Sequence, residues 1–418
     1  MKTYTETTIS TCQKPLPQQA PVLPDTINIF LTAACNFRCA HCYATFADIR
    51  GTAPRFMSQE LVQQILRSIS REPLPPGLTA RKITFVGGEP TLCQNLVKCV
   101  ATAKSLGLDT AVITNGTRIT PAYLDQFAGT LDWMGFSIDS FDERTNRAIG
   151  RCSQDGIPLT TEDYFLRLGW VQERGIGLKL NTVVNAFNWQ EDMTPFLVKA
   201  YPDRWKVLQV TPIAGQNDDR IAEMQITRAQ FQHFVDRHSM VRQHGITMVA
   251  EPVEVIRGSY AMISPDGRFF GNAQGRHIYS DFISKAGVRK AFSQVTFHDS
   301  KFHSRGGRYE RVRRFASSSV QQNTIRHPAM ATAPNNRMTR WLKTVAKLSW
   351  TPKQVEHSAR LALAQAQWCG INKDDAIREL LGMGLASFFQ TNPHILYQVW
   401  TTVSEELAQP DSLELLAA

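Results

Sequence analysis

The chain has 418 residues, 43% hydrophobic and 20% charged, enough to bury one large core with room for a second, smaller domain. No run of eighteen apolar residues occurs, which argues against a membrane span, and eight cysteines without a secretion-type leader argue for a cytoplasmic location without a disulfide framework. The formal charge of +9 is regional, because residues 301–350 hold eleven Lys or Arg against a single Glu.

In chain order, residues 1–25, rich in Pro, Gln and Thr, read as a flexible lead-in with neither a signal-peptide core nor an amphipathic anchor. From 26 to 250, short apolar runs alternate with helical patterns. Strands are expected at TINIFLT (26–32), KITFVG (82–87), TAVITN (110–115), LDWMGFSID (131–139), GLKLNTVV (177–184) and KVLQVTPI (206–213). Helical spacing fills 57–69, 95–107 and 161–175, with SQE and TED offering capping residues. The alternation predicts an α/β fold: a partial (β/α)6 barrel whose functional groups gather at the C-terminal ends of the strands. GSYAMISPDGRFFGN (258–272) predicts a β-hairpin turning at PDG, within an extension spanning 251–314. Residues 315–336 read as a linker, and 337–418 as an all-α accessory region.

Directly after the first strand, ACNFRCAHCY (34–43) packs Cys35, Cys39 and Cys42 into one loop. Thiolates favour Zn or iron–sulfur centres. A structural Zn site normally completes itself with a fourth protein ligand, and His41, inside the triplet, is poorly placed to be one. Three cysteines on a four-iron cluster would instead leave one iron open. Structural Zn, or cysteines buried by chance, are the alternatives. One strand later, FVGGEP (85–90) ends in Gly87 and Gly88, which let backbone approach a ligand, followed by Glu89 and Pro90. Together the two motifs resemble the radical S-adenosylmethionine (SAM) superfamily. The resemblance implies one [4Fe-4S] cluster on the three cysteines and SAM as cosubstrate, with the GGEP turn at its methionine amino group. It places Tyr43 and Asn115 among the cosubstrate contacts, although each could equally serve packing or a turn.

SIDSFDERTNRAIGR (137–151), KLNTVVNAFNWQEDM (179–193), RWKVLQVTPIAGQND (204–218) and SRGGRYE (304–310) extend the likeness to the viperin family, over roughly 26–310. Membership implies dehydration of a nucleoside triphosphate, CTP first and GTP or UTP next, to its 3′-deoxy-3′,4′-didehydro form. Incorporation of that product terminates RNA chains, an antiviral or anti-phage defence. By the same resemblance Lys82, Lys179, Asn181, Arg204 and Lys206 hold the nucleotide, Ser137 and Arg151 the cosubstrate carboxylate, and Arg305 and Arg308 a loop closing on the γ-phosphate. Tyr260 matches a hydrogen donor late in the reaction, with core packing as its alternative, and the electron comes from an external flavodoxin- or ferredoxin-like donor. The physical reading agrees. Lys179 and Asn181 lie two apart on one strand and share a face, as do Arg204 and Lys206. Cations pointing into a barrel need an anion, or else a salt bridge or solvent at a strand end.

Two departures stand out. The segment 271–282 lacks the cysteine and much of the basic run the family carries there, which puts base preference in doubt. The tail from 311 mixes basic and aromatic residues, suited to nucleic acid or to a basic linker before a helical bundle. Two other readings stand beside the dehydratase. One is a radical enzyme acting on a peptide or cofactor precursor. The other is a metal-stabilised nucleic-acid-binding protein.

Overall fold

The computed structural model describes residues 22–309. The expected lead-in up to residue 21, the linker, the helical accessory region, Cys12 and Cys369 lie outside the described residues. Ten strands form one sheet: β1 (Thr26–Phe30), β2 (Lys82–Val86), β3 (Asp109–Thr114), β4 (Trp133–Ser137), β5 (Gly177–Val184), β6 (Arg204–Gln209), β7 (Thr247–Glu251), β8 (Ala261–Ile263), β9 (Arg268–Gly271) and β10 (Ile278–Phe282). Their order is β10-β9-β8-β1-β2-β3-β4-β5-β6-β7, and β8, then β1 to β7, pair in parallel throughout. The six expected strands are present in sequence order, and among the described residues β10 and β7 form the two ends of the sheet, as in a partial barrel. β7 extends it by a strand the sequence reading lacks, since TMVAE has neither a sustained apolar run nor alternation. The predicted hairpin is β8–β9, antiparallel around Pro265-Asp266-Gly267, where Gly267 takes a positive φ of 82° that the turn needs.

Crossover helices cover the outer face: α1 (Gln59–Ser70), α2 (Leu96–Ser105), α3 (Pro121–Asp125), α4 (Glu143–Ala148), α5 (Thr161–Glu173) and α6 (Thr194–Ala200). In α1, Val62, Ile65, Leu66 and Ile69 fall on one stripe and are all buried, worth about 1.5–3 kcal/mol each. Ser58 caps α1 by accepting from the Leu61 amide. The cap of α5 is Thr160, one residue before the expected TED, in a reciprocal capping box with Asp163.

Strand periodicity divides each β-strand between two environments. Ile27, Ile29, Ile83 and Phe85 point into the core beneath the helices. Thr26, Asn28, Phe30, Thr84, Val86, Lys179, Asn181 and Lys206 line the concave side. Register sets polar groups level with one another, Lys179 opposite Arg204 and Asn181 opposite Lys206 on β5 and β6. Among the described residues, no helix is long and apolar enough to cross a membrane.

Candidate functional site

The concave side encloses a cavity of about 1000 Å³ that runs from the loop after β1 to the chain at 305–309. Cys35, Cys39 and Cys42 line its upper end, all three as free thiols. Burial pushes Cys35 to about 11 and Cys39 to about 12, and also raises Cys42. Such thiols shed their protons only to a strong compensating cation, which is what a metal centre supplies. Among the described residues no trio of His, Cys, Asp or Glu side chains, these cysteines included, converges on the geometry of a single ion. His41 turns its Nε2 to Asp139 at 3.2 Å, while its Nδ1 is buried without a hydrogen-bond partner among the described residues.

The glycine turn after β2 is stitched to this loop. The Gly88 amide donates to the Thr32 carbonyl (2.7 Å) and the Glu89 amide to the Ala34 carbonyl (2.8 Å). A Cβ on Gly88 would lie 2.3 Å from the Ala34 carbonyl oxygen, so the close approach excludes any side chain. Glu89 is fully enclosed and serves as a strut. Its Oε1 accepts from Thr91 and Thr114 at 2.6 Å each, and its Oε2 from the Asn115 amide at 2.7 Å, tying β2 to β3. Burial raises its pKa, although these bonds pull the other way. Pro90 starts the following short turn and does not line the cavity, whereas Gly87, Gly88, Glu89 and Asn115 do. Asn115 accepts from Thr117 through Oδ1 and donates to Asn36 through Nδ2, at 2.7 and 2.8 Å.

Tyr43, Ser137 and Arg151 also line the upper half. Arg151 gives its Nε to Asp139 and its Nη1 to the Ser137 carbonyl at 3.1 Å. Asp139 is buried, yet Arg151 and His41 hold its carboxyl well below the usual carboxylate range.

The lower half is rich in cations. Lys179, Arg204, Lys206 and Arg305 are all buried and share one carboxylate, Glu251 at the end of β7. Lys206 reaches Glu251 at 2.5 Å and Arg305 at 3.4 Å. Despite burial, that company holds Glu251 down at about 2. Lys179 has no hydrogen-bond or ion-pair partner among the described residues, and burial with its cationic neighbour Arg204 pushes it down to about 7. Asn181 Oδ1, Arg204 Nε and Arg305 Nε are likewise buried without a partner. Tyr260 accepts from Lys206 at 2.6 Å and donates to Glu251.

Lys82 and Arg204 open strands β2 and β6, at the N-terminal ends, so the cationic groups are not gathered at the C-terminal ends as the barrel analogy led one to expect. They meet the chain at 306–309. Lys82 donates to the Tyr309 carbonyl at 2.6 Å and Arg204 to the Gly306 carbonyl at 2.7 Å. The Tyr309 ring lies over both, 3.4 Å from Lys82 Nζ and 4.2 Å from the Arg204 guanidinium. Of the two arginines in SRGGRYE, Arg305 joins the cavity, while Arg308 pairs with Asp25 and the Pro76 carbonyl outside its lining. The sequence does not mark Glu251 or Tyr309 as site residues: Glu251 ends a strand without strand-like patterning, and Tyr309 sits in SRGGRYE, whose visible signal is charge and glycine.

Comparison with known proteins follows the same ground. The model of the radical SAM superfamily matches residues 29–185. A Lacinutrix mariniflava protein named S-adenosylmethionine-dependent nucleotide dehydratase is 40% identical over 290 residues, 68% of this chain and 58% of that one. This chain therefore spans little more than half the length of that relative. A protein of the same name from Flammeovirga pacifica is 37% identical over 287 residues, covering 68% of this chain and 95% of its own. Among solved structures, native anSMEcpe with bound AdoMet and a Kp18Cys peptide superposes with a TM-score of 0.51 at 12% identity, over 67% of this chain and 82% of that one, a likeness of fold.

Proposed function

The chain belongs to the S-adenosylmethionine-dependent nucleotide dehydratases of the radical SAM superfamily, and from that premise we propose that it removes water from a nucleoside triphosphate held in the lower half of the barrel. CTP is the first candidate and GTP or UTP the next. The product is the 3′-deoxy-3′,4′-didehydro nucleotide, a chain terminator suited to defence against phage.

One observation carries this reading: Lys179 is buried without an ion-pair partner beside Arg204, Lys206 and Arg305, and among the described residues the four share the single carboxylate of Glu251. Unpaired buried cations are costly, and a triphosphate, with about four negative charges, offsets that cost as few other metabolites can. Asn181 Oδ1, unpartnered and level with Lys206, is placed to accept from a sugar hydroxyl. Lys82 adds one more cation, and both it and Arg204 can donate to phosphate oxygens once the carbonyls of Tyr309 and Gly306 are exchanged for them.

In the upper half, Cys35, Cys39 and Cys42 would hold a [4Fe-4S] cluster, and Gly87, Gly88, Asn115, Ser137 and Arg151 would seat SAM. The chemistry supplied by that pair is a one-electron cleavage yielding a carbon radical able to take hydrogen from C4′ of the sugar. The barrel's part is to hold the sugar between the two halves and to exclude water and oxygen, with residues 305–309 forming the lower wall. Tyr260, which lines the cavity beside Lys206 and Glu251, is the hydrogen donor that completes the product.

The test is a nucleotide panel: anaerobically reconstituted protein with SAM, dithionite and each common nucleoside triphosphate in turn. A nucleotide lighter by one water, formed together with 5′-deoxyadenosine, is expected with CTP. If 5′-deoxyadenosine stays at background with every nucleotide, the assignment is wrong.

A further inference from the structure

Tyr260 has more defined surroundings than a hydrogen donor at a cavity wall requires. Its hydroxyl oxygen accepts from Lys206 Nζ at 2.6 Å, and its proton points to Glu251 Oε2. The other oxygen of Glu251 takes the ion pairs with Lys206 and Arg305. The Arg305 guanidinium carbon stands 3.7 Å from the Tyr260 ring centroid. Neutralising the cations needs only Oε1, yet Oε2 is spent on a phenol that borders an open cavity. A cation over the ring makes loss of an electron without loss of the proton unfavourable. The hydrogen bond to a buried carboxylate gives that proton a fixed destination.

We propose that Glu251 is the base that takes the phenol proton of Tyr260 as its electron passes to the sugar, so that the donor works as a proton–electron pair split between two directions. This rests on the nucleotide dehydratase reading. The steps balance as follows. After hydrogen has been taken from C4′, the electron from Tyr260 closes the C3′–C4′ double bond and the C3′–O bond breaks. The departing hydroxide takes a proton from the Lys206 ammonium and leaves as water. The phenol O–H bond has broken, its proton is on Glu251, and Tyr260 is a neutral phenoxyl radical. One electron from the external reductant then gives phenolate, which recovers its proton from Glu251, and Lys206 is reprotonated from solvent. An oxidised phenol is a far stronger acid than any carboxylic acid, so even a carboxylate held as low as Glu251 accepts the proton.

The test compares Glu251→Gln with wild type in two measurements. Nucleotide affinity is read by titration calorimetry on reconstituted protein without reductant, and coupling is read as dehydrated nucleotide formed per 5′-deoxyadenosine. The proposal expects affinity at least equal to wild type, since a negative charge near the triphosphate is removed. It expects 5′-deoxyadenosine to form with the coupling ratio down at least about tenfold. Tyr260→Phe should give the same drop, and the double variant no further one. An unchanged ratio in Glu251→Gln overturns the proposal, as does a joint loss of affinity and 5′-deoxyadenosine, which marks a merely structural carboxylate. If the Gln variant fails to retain iron, Glu251→Asp decides. A withdrawn carboxylate must lower the ratio at wild-type affinity, and a wild-type ratio overturns the idea. Failure of the dehydratase reading looks different, because wild type itself would then form no product.

Discussion

The two halves of the cavity are built on opposite plans. In the upper half the main polar groups are bound within the protein, with His41 Nδ1 as a buried exception: Glu89 bridges β2 and β3, Asn115 is bonded through both side-chain polar atoms, and Arg151 is tied to Asp139 and Ser137. In the lower half, among the described residues, cations outnumber their carboxylate, and three buried polar atoms have no partner. The upper half is therefore organised before any ligand arrives. The lower half stores a charge imbalance that only a ligand corrects, which lowers stability in its absence.

Substitutions sharpen that contrast, beginning with the largest effect. Cys39→Ala should abolish cluster assembly, with iron per chain falling to background after reconstitution while far-ultraviolet circular dichroism remains that of a folded protein. Lys179→Met should weaken triphosphate binding by roughly 30-fold or more, the usual cost of truncating one side of a buried charge contact, with iron content unchanged. Equal loss of both would erase the division between the halves.

The same variant should be more stable than wild type at pH 7, by about 1–4 kcal/mol as for other buried ions replaced by apolar groups. Lys179 titrates near 7 when folded and near its ordinary value of 10.5 when unfolded. Between these values the unfolded chain binds more protons, so wild-type stability contains a penalty, complete below pH 7, that lifts as pH rises to about 10.5. Urea melts across that window should show Lys179→Met flattening this part of the slope. Arg308→Ala should have the smallest effect, less than about threefold on nucleotide affinity in the same titration, because Arg308 lies outside the cavity lining and is held by the buried carboxylate of Asp25. A loss as large as that of Lys179→Met would show that Arg308 swings into the cavity when nucleotide binds.

The same division governs what the sequence could reveal. The upper site is written in contiguous stretches, since a loop that gathers three cysteines and a turn that must be glycine leave local marks. The Cβ clearance at Gly88 makes one of those marks physical. The cations could be placed because period-two geometry puts Lys179 with Asn181, and Arg204 with Lys206, on single faces. Their counter-charge could not be, because Glu251 meets Lys206 across 45 positions and ends a strand whose residues do not look like one. Nor could the fates of Arg305 and Arg308 be separated. The chain turns between them at Gly306, with φ at 63°, and only the folded path shows which arginine faces inward.

The aromatic lid formed by Tyr309 carries a kinetic consequence. With its ring against Lys82 and Arg204, and the Gly306 and Tyr309 carbonyls bonded to the same two side chains, those positions are occupied before any guest arrives. Loading them is then an exchange, and its speed is capped by how often residues 306–309 lift away. At high guest concentration the observed rate should level off at that lifting frequency, whichever base the guest carries.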